Sequence, residues 1–99
     1  MIDNIDDNID IVHIGIILHN NQTLRTTIQG VDPKYNDRIL RFFKNTHFAN
    51  GTVLIDPIFG SIIHIIGDHR NHAGNYLCDH HIVNRDQIMI YDYNDFMIL

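Results

Sequence analysis

The sequence predicts a two-layer α+β domain, a five-stranded mixed sheet with two helices on one face, in the order ββαββαβ. Three observations predict it. Apolar residues alternate in short β-branched runs, as half-buried strands require. Two longer stretches repeat at helical spacing and separate the strands into pairs. The 99 residues, 44% hydrophobic and 19% charged, suffice for one core and leave little for a deep substrate cavity.

Each element has a local reason. Residues 1–10 alternate Asp and Asn with Ile and are expected to form a flexible acidic tail, since nothing in them can pack alone. They lack a basic stretch ahead of an apolar one, so no signal peptide is expected. The folded domain is expected over 11–93. Ile11 to Leu18 places Val12, Ile14, Ile16 and Leu18 on one face of a strand. His19-Asn20-Asn21-Gln22 is a polar tip, and Thr23 to Gln29 returns with Leu24, Thr26 and Ile28 alternating. Two such runs around an Asn-containing tip read as a β-hairpin. Asp32 is expected to cap a helix that opens at Pro33 and runs to about Thr46. Tyr35, Ile39 and Phe42 form its inner stripe, with Phe43 at the edge. Thr52 to Ile55 is a third strand, Asp56 to Gly60 a five-residue loop, and Ser61 to Ile66 a fourth strand. Asp68 is expected to cap a second helix reaching His81 despite Gly74, which costs about 1 kcal/mol against Ala. Gln87 to Tyr91 closes the sheet, and 94–99 is a short extension. No repeat and no second domain are evident.

Charge narrows the function. The net charge is −5, which argues against a polyanionic partner until its distribution is examined. Asp3, Asp6, Asp7 and Asp10 lie in the tail, so residues 11–99 hold eight acids against seven bases. Four of those bases, Lys34, Arg38, Arg41 and Lys44, recur along one side of the first helix. That side lies about 100° around the helix from the apolar stripe, so a docked helix presents the bases outward as a phosphate-binding strip or as a solvated charged face.

Catalysis is not expected. No nucleophile elbow, P-loop or dinucleotide fingerprint is present, and Asp68 beside Arg70 reads as a cap followed by a surface base. The eight histidines raise a metal reading. His69 with His72, and Cys78 with His81, are pairs one helical turn apart, yet the nine residues from 69 to 78 turn a helix by about 180° and point the pairs apart. With about four converging ligands needed for zinc, no metal site and no cofactor are expected. The single cysteine, Cys78, cannot form an internal disulfide, which fits a cytoplasmic setting. No apolar run reaches the roughly 18 residues of a membrane span, so no membrane association is expected.

Several motifs then fall in one order. Val12-His13-Ile14 precedes the hairpin, and Thr26-Thr27-Ile28-Gln29-Gly30-Val31 ends it. Ala49-Asn50-Gly51-Thr52-Val53, Asp56-Pro57 with Gly60, and Gly67-Asp68-His69-Arg70 follow. This series resembles the eukaryotic translation initiation factor 1 family, over about residues 11–93. The resemblance implies an α+β domain that binds the small ribosomal subunit near the P site, alongside other initiation factors. There it opposes premature commitment to a start codon. It places the tip His19, Asn20, Asn21, Gln22 and Thr23 toward the codon and initiator tRNA, and the loop Asp56, Pro57, Ile58, Phe59 and Gly60 beside that tRNA. It makes the first helix the rRNA-facing one, with Arg25 added to its four bases. Gln29, Gly30, Asn50, Gly51, Gly67, Asp68 and Arg70 match family signature positions, with His69 in a variable slot. The chain departs from the pattern in three places: the tip lacks the family's bases, the segment near Phe48 is one residue short, and Asp92 replaces a closing glycine. These departures mark a divergent member, expected to act as a monomer. Two rival readings remain at this stage, a general RNA-binding module of the same fold and a small histidine-based metal-binding protein.

Overall fold

The computed structural model describes residues 11–92; the expected tail at 1–10 and extension at 94–99 lie outside the described residues. Val12–His19 (β1) and Thr23–Gln29 (β2) pair antiparallel as the alternation predicts, from His13 opposite Gln29 to His19 opposite Thr23. Asn20 and Asn21 turn the hairpin with φ of 54° and 59°. Asparagine is among the few residues that tolerate two successive left-handed positions, and the turn closes with Gln22 N–H donating to the His19 carbonyl at 3.1 Å.

The chain then enters the helical layer through a detail that sequence periodicity missed. Asp32 does cap, accepting from Lys34 N–H at 3.0 Å, but it caps a single 3-10 turn at Pro33–Tyr35. The α-helix proper (α1) is Asn36–His47. Tyr35 therefore lies outside the α-helix and its own stripe. That stripe is Ile39 and Phe43, both fully buried, while Tyr35, Leu40 and Phe42 are only partly so. Phe43, expected at the edge, is the centre of the core.

Gly51–Asp56 (β3) and Gly60–Ile66 (β4) form a second antiparallel hairpin. The expected five-residue loop is shorter, because Asp56 and Gly60 already pair across Pro57–Phe59. The second helix (α2) is Arg70–Asp79, and Asp68 is not its cap. His69 occupies that position without a side-chain cap bond; the Asp68 carboxylate, one residue earlier, holds the Arg70 guanidinium at 2.9 Å and accepts from the Arg70 N–H at 3.4 Å. The helix stops two residues short of His81. His81 has φ 57°, and the amides of Ile82 and Val83 turn back onto the Leu77 carbonyl, a reversal of the kind that terminates helices. After a 3-10 turn at Arg85–Gln87, Ile88–Ile90 (β5) pairs parallel to β1.

The resulting sheet is mixed, with order β3-β4-β2-β1-β5. One face carries Val12, Ile14, Ile28, Ile63 and Ile65, all buried in one cluster with Ile39, Phe43, Ala73 and Leu77 of the helices. This is the predicted α+β architecture.

Candidate nucleic-acid interface

The four bases of the first helix emerge on its outer side. Lys34, Arg38, Arg41 and Lys44 are all exposed, and no ion pair among the described residues involves them. Lys34 belongs to the 3-10 turn, yet it still joins Arg38: both cations lie over the Tyr35 ring, at 5.2 and 5.5 Å. Tyr35 thus holds two charges together where free side chains would separate. Arg38 and Arg41 also border a groove of about 350 Å³ between the helices, whose other walls include Phe42, Tyr76 and His80. A basic rim over an aromatic floor suits a nucleic-acid backbone with an unstacked base or sugar beside it.

Arg25 is not part of this strip. It faces the opposite side of the sheet, beside His64 and Thr52 in a pocket of about 210 Å³. The Arg25 Nε and His64 Nδ1 atoms are buried without a hydrogen-bond partner. Burial, then the charge of Arg25, then His19, hold the His64 pKa below the ordinary histidine range. Arg25 and His64 converge because β2 and β4 are neighbours with Thr27 opposite His64, a register that neither strand reveals alone.

The two loops assigned to one neighbourhood are at opposite ends of the sheet. Because β2 and β4 are antiparallel, the tip Asn20–Gln22 sits at one end and Pro57–Phe59 at the other. The seven residues of β2 separate them by about 20 Å at roughly 3.3 Å per residue. Asp56 turns inward: its carboxylate accepts from Ile58 N–H at 2.7 Å and Phe59 N–H at 2.9 Å, which stiffens the loop as an Asx-turn does. Ile58 and Phe59 project from it, 82% and 56% exposed.

A cluster the sequence did not suggest lies where the helices meet. His47, the last residue of α1, reaches His69 and His72 at the start of α2. One ligand-capable atom from each lies within 4.8 Å of the others. Spacing within one helix pairs His69 with His72 but does not reach the third ring, and His81 lies beyond the end of α2 at Asp79. His47 joins His69 and His72 only through the docking of α1 against α2. Burial first, then His72 and His69, lower the pKa of His47, favouring the neutral imidazole.

No protein-family model matches the chain, but individual relatives do. A protein translation factor SUI1 homolog of Oryza sativa subsp. indica is 34% identical over 85 residues, which span 85% of this chain and 74% of that protein. The Zea mays homolog matches at the same identity and coverage. Eukaryotic translation initiation factor 1 of Homo sapiens is 29% identical, over 85% of this chain and 75% of its own. The chain belongs to the SUI1, or eukaryotic translation initiation factor 1, family. Among solved structures, SMU.848 from Streptococcus mutans covers 85% of this chain and 98% of its own at 7% identity and a TM-score of 0.42, too slight a likeness to bear on the matter.

In this initiation factor 1 family member the segments around Thr26 and Gly67 are clasped to each other. The Thr26 hydroxyl donates to the Gly67 carbonyl and accepts from the His69 N–H, each at 2.7 Å. The Gly67 N–H in turn donates to the Leu24 carbonyl at 2.8 Å. Gly67 has φ +104°, a conformation that a side chain would strain. Gly51 is constrained differently: an added Cβ would lie 2.6 Å from Ile65 Cδ1 and 2.8 Å from the His64 carbonyl oxygen. Its neighbour Asn50 accepts from Ile66 N–H at 2.9 Å. Gln29 ends β2 opposite His13 and Ile62, and Gly30 follows at φ +101°. Arg70 pairs with Asp68 through two bonds of 2.9 Å and donates to the Tyr91 carbonyl at 2.7 Å, tying α2 to the end of β5. The Arg70 hydrogen bonds hold the Asp68 carboxyl below its usual range. These side chains and backbone turns hold the fold together.

Proposed function

We propose that this chain is a start-codon selection factor that binds the small ribosomal subunit through α1 and acts by steric and electrostatic gating, without chemistry of its own. The relatedness over 85 residues to proteins named as translation factors carries the initiation role. The exposed strip Lys34, Arg38, Arg41 and Lys44 supports α1 as the rRNA contact, since rRNA phosphates are the partner such a strip suits. The tip His19 to Thr23 would lie toward the codon and initiator tRNA, and the Asp56–Gly60 loop against the body of that tRNA. A separation of about 20 Å between them suits one extended polyanion touched twice. Other initiation factors would share the subunit. Arg25, on the far face, would contact RNA independently of α1. Among the described residues no helix is long and apolar enough to cross a membrane, and action in the cytoplasm as a monomer accords with the role.

Sedimentation with purified small subunits across a salt series tests this reading. Each phosphate contact contributes just under one unit to the slope of log affinity against log salt. An Arg38→Ala, Arg41→Ala double variant should bind more weakly and lower the magnitude of that slope by up to about two units. Binding equal to wild type at every salt concentration would reduce the strip to a solvated face.

A further inference from the structure

We propose that His47, His69 and His72 form a site for one divalent transition-metal ion of the zinc class, leaving a coordination position open. The proposal does not rest on the initiation role.

The geometry carries it. A tetrahedral zinc site with metal–nitrogen bonds of about 2.0–2.1 Å places neighbouring nitrogens about 3.4 Å apart. His69 Nδ1 and His72 Nδ1 are 3.4 Å apart. The third nitrogen, from His47, completes a set confined within 4.8 Å, so closure about an ion asks for movements on the order of 1 Å. His72 is exposed and can supply that movement by side-chain rotation. His47 now stacks on His72 at 4.2 Å between ring centroids, and chelation would replace this stack.

The surroundings favour the same outcome. The His69 backbone is pinned by Thr26, and the rings of His47 and His69 both lie 5.5 Å from that of the buried Phe43. A rigid apolar floor limits how far either ligand can wander. The site lies between the C-terminus of α1 and the N-terminus of α2, so the partial charges of the two helix ends offset each other at the ion. His69 and His72 also border an open cleft of about 330 Å³ lined by Asp68, Arg70 and Asp92, which gives an ion access from solvent. Neutral imidazole ligands suit zinc, cobalt, nickel and copper better than magnesium or calcium. Three protein ligands leave the fourth position to water or to a donor from a partner. The ion would staple the two helices and add positive charge one turn beyond Lys44.

The test uses the full chain without a polyhistidine tag, stripped with chelator. Cobalt(II) is titrated while its visible absorption is recorded, and zinc(II) is titrated in competition with a chromogenic chelator. One equivalent should bind with the spectrum of a low-coordinate nitrogen site. His72→Ala, at an exposed position, should retain the fold by circular dichroism and weaken binding at least tenfold. His47→Ala should do the same, whereas a His80→Ala, His81→Ala double variant should bind as wild type. Zinc should raise the melting temperature of wild type but not of His72→Ala, since only a ligand of the native state stabilises it. If wild type takes up no ion more tightly than His72→Ala, or if uptake follows His80 and His81 instead, the three histidines are a ring stack and the proposal fails.

Discussion

Adjacent threonines on β2 allow the clasp between β2 and the Gly67–His69 segment to be weighed. Thr26 and Thr27 are 0% and 3% exposed, so burial does not distinguish them. Their hydroxyls do. The Thr26 hydroxyl makes two bonds of 2.7 Å to the Gly67–His69 segment, whereas the Thr27 hydroxyl is buried with no partner. Valine preserves shape and β-branching at either site. Thr26→Val strands a carbonyl and an amide, each costing about 1–3 kcal/mol when left unsatisfied. Partial access of water to this half-buried segment favours the lower end, giving a loss of about 2–4 kcal/mol. For a domain of this size that lowers the melting temperature by roughly 8 °C or more. Thr27→Val removes an unsatisfied hydroxyl and should be neutral or stabilising by about 1 kcal/mol. Thr26→Ser, which keeps the hydroxyl and loses one buried methyl, should cost only about 1 kcal/mol. Urea unfolding of the variants, followed by circular dichroism with an unchanged slope, checks the comparison. Thr26→Val and Thr27→Val agreeing within about 0.5 kcal/mol, below the smallest cost expected of one stranded group, would refute the clasp.

Gly74→Ala should stabilise the domain by about 1 kcal/mol by helix propensity, because the added Cβ meets only ordinary contacts, the nearest being Ile90 Cδ1 at 3.5 Å; a fall in melting temperature would show α2 packed too tightly against β1 and β5. The histidine of the open sheet face should titrate below the ordinary range, because burial opposes its charge, and Arg25 and His19 add to that. A depressed folded pKa means its contribution to stability is complete above the unfolded value near 6.5 and is lost as pH falls through the lower folded value. Wild type should therefore lose stability relative to His64→Gln on acidification from about pH 6.5, and an NMR titration should find the His64 pKa raised in Arg25→Met. Asp56→Asn keeps an oxygen to accept from Ile58 and Phe59 N–H while removing the charge, so stability should hold while near-cognate initiation in a reporter assay rises. Loss of subunit binding with codon choice unchanged would mark the loop as an rRNA contact.

What the sequence made legible follows the range over which each feature is determined. Strand alternation and the Asn20-Asn21 turn are local, and both hairpins fell where the residues indicated. The inner stripe of α1 was not fully legible: Phe42 and Phe43 follow Ile39 at i+3 and i+4, both helical spacings, and only the docking of the helix on the sheet selects Phe43 for full burial. Asp68 shows the same limit: its carboxylate accepts from the Arg70 N–H at 3.4 Å and also pairs with the Arg70 guanidinium, and spacing does not reveal the second bond. The histidine cluster and the Arg25–His64 pocket were least accessible, since the first depends on how two helices dock and the second on which strands become neighbours.

The hairpin tip shows how local geometry constrains function. Asn20 and Asn21 both occupy left-handed backbone, where lysine or arginine would be strained while asparagine is tolerated. The tip therefore exchanges charge for a tight turn, and none of Asn20, Asn21 and Gln22 carries a positive charge. If the chain binds an RNA surface, its salt-dependent affinity must then come chiefly from the strip on α1, with Arg25 on the far face. A tip lysine added at Gln22, the turn residue without a positive φ, should accordingly increase subunit affinity and its salt slope by just under one unit while the fold remains intact. No gain in affinity would place the tip away from phosphate and leave shape, with no added charge, as its contribution to codon selection.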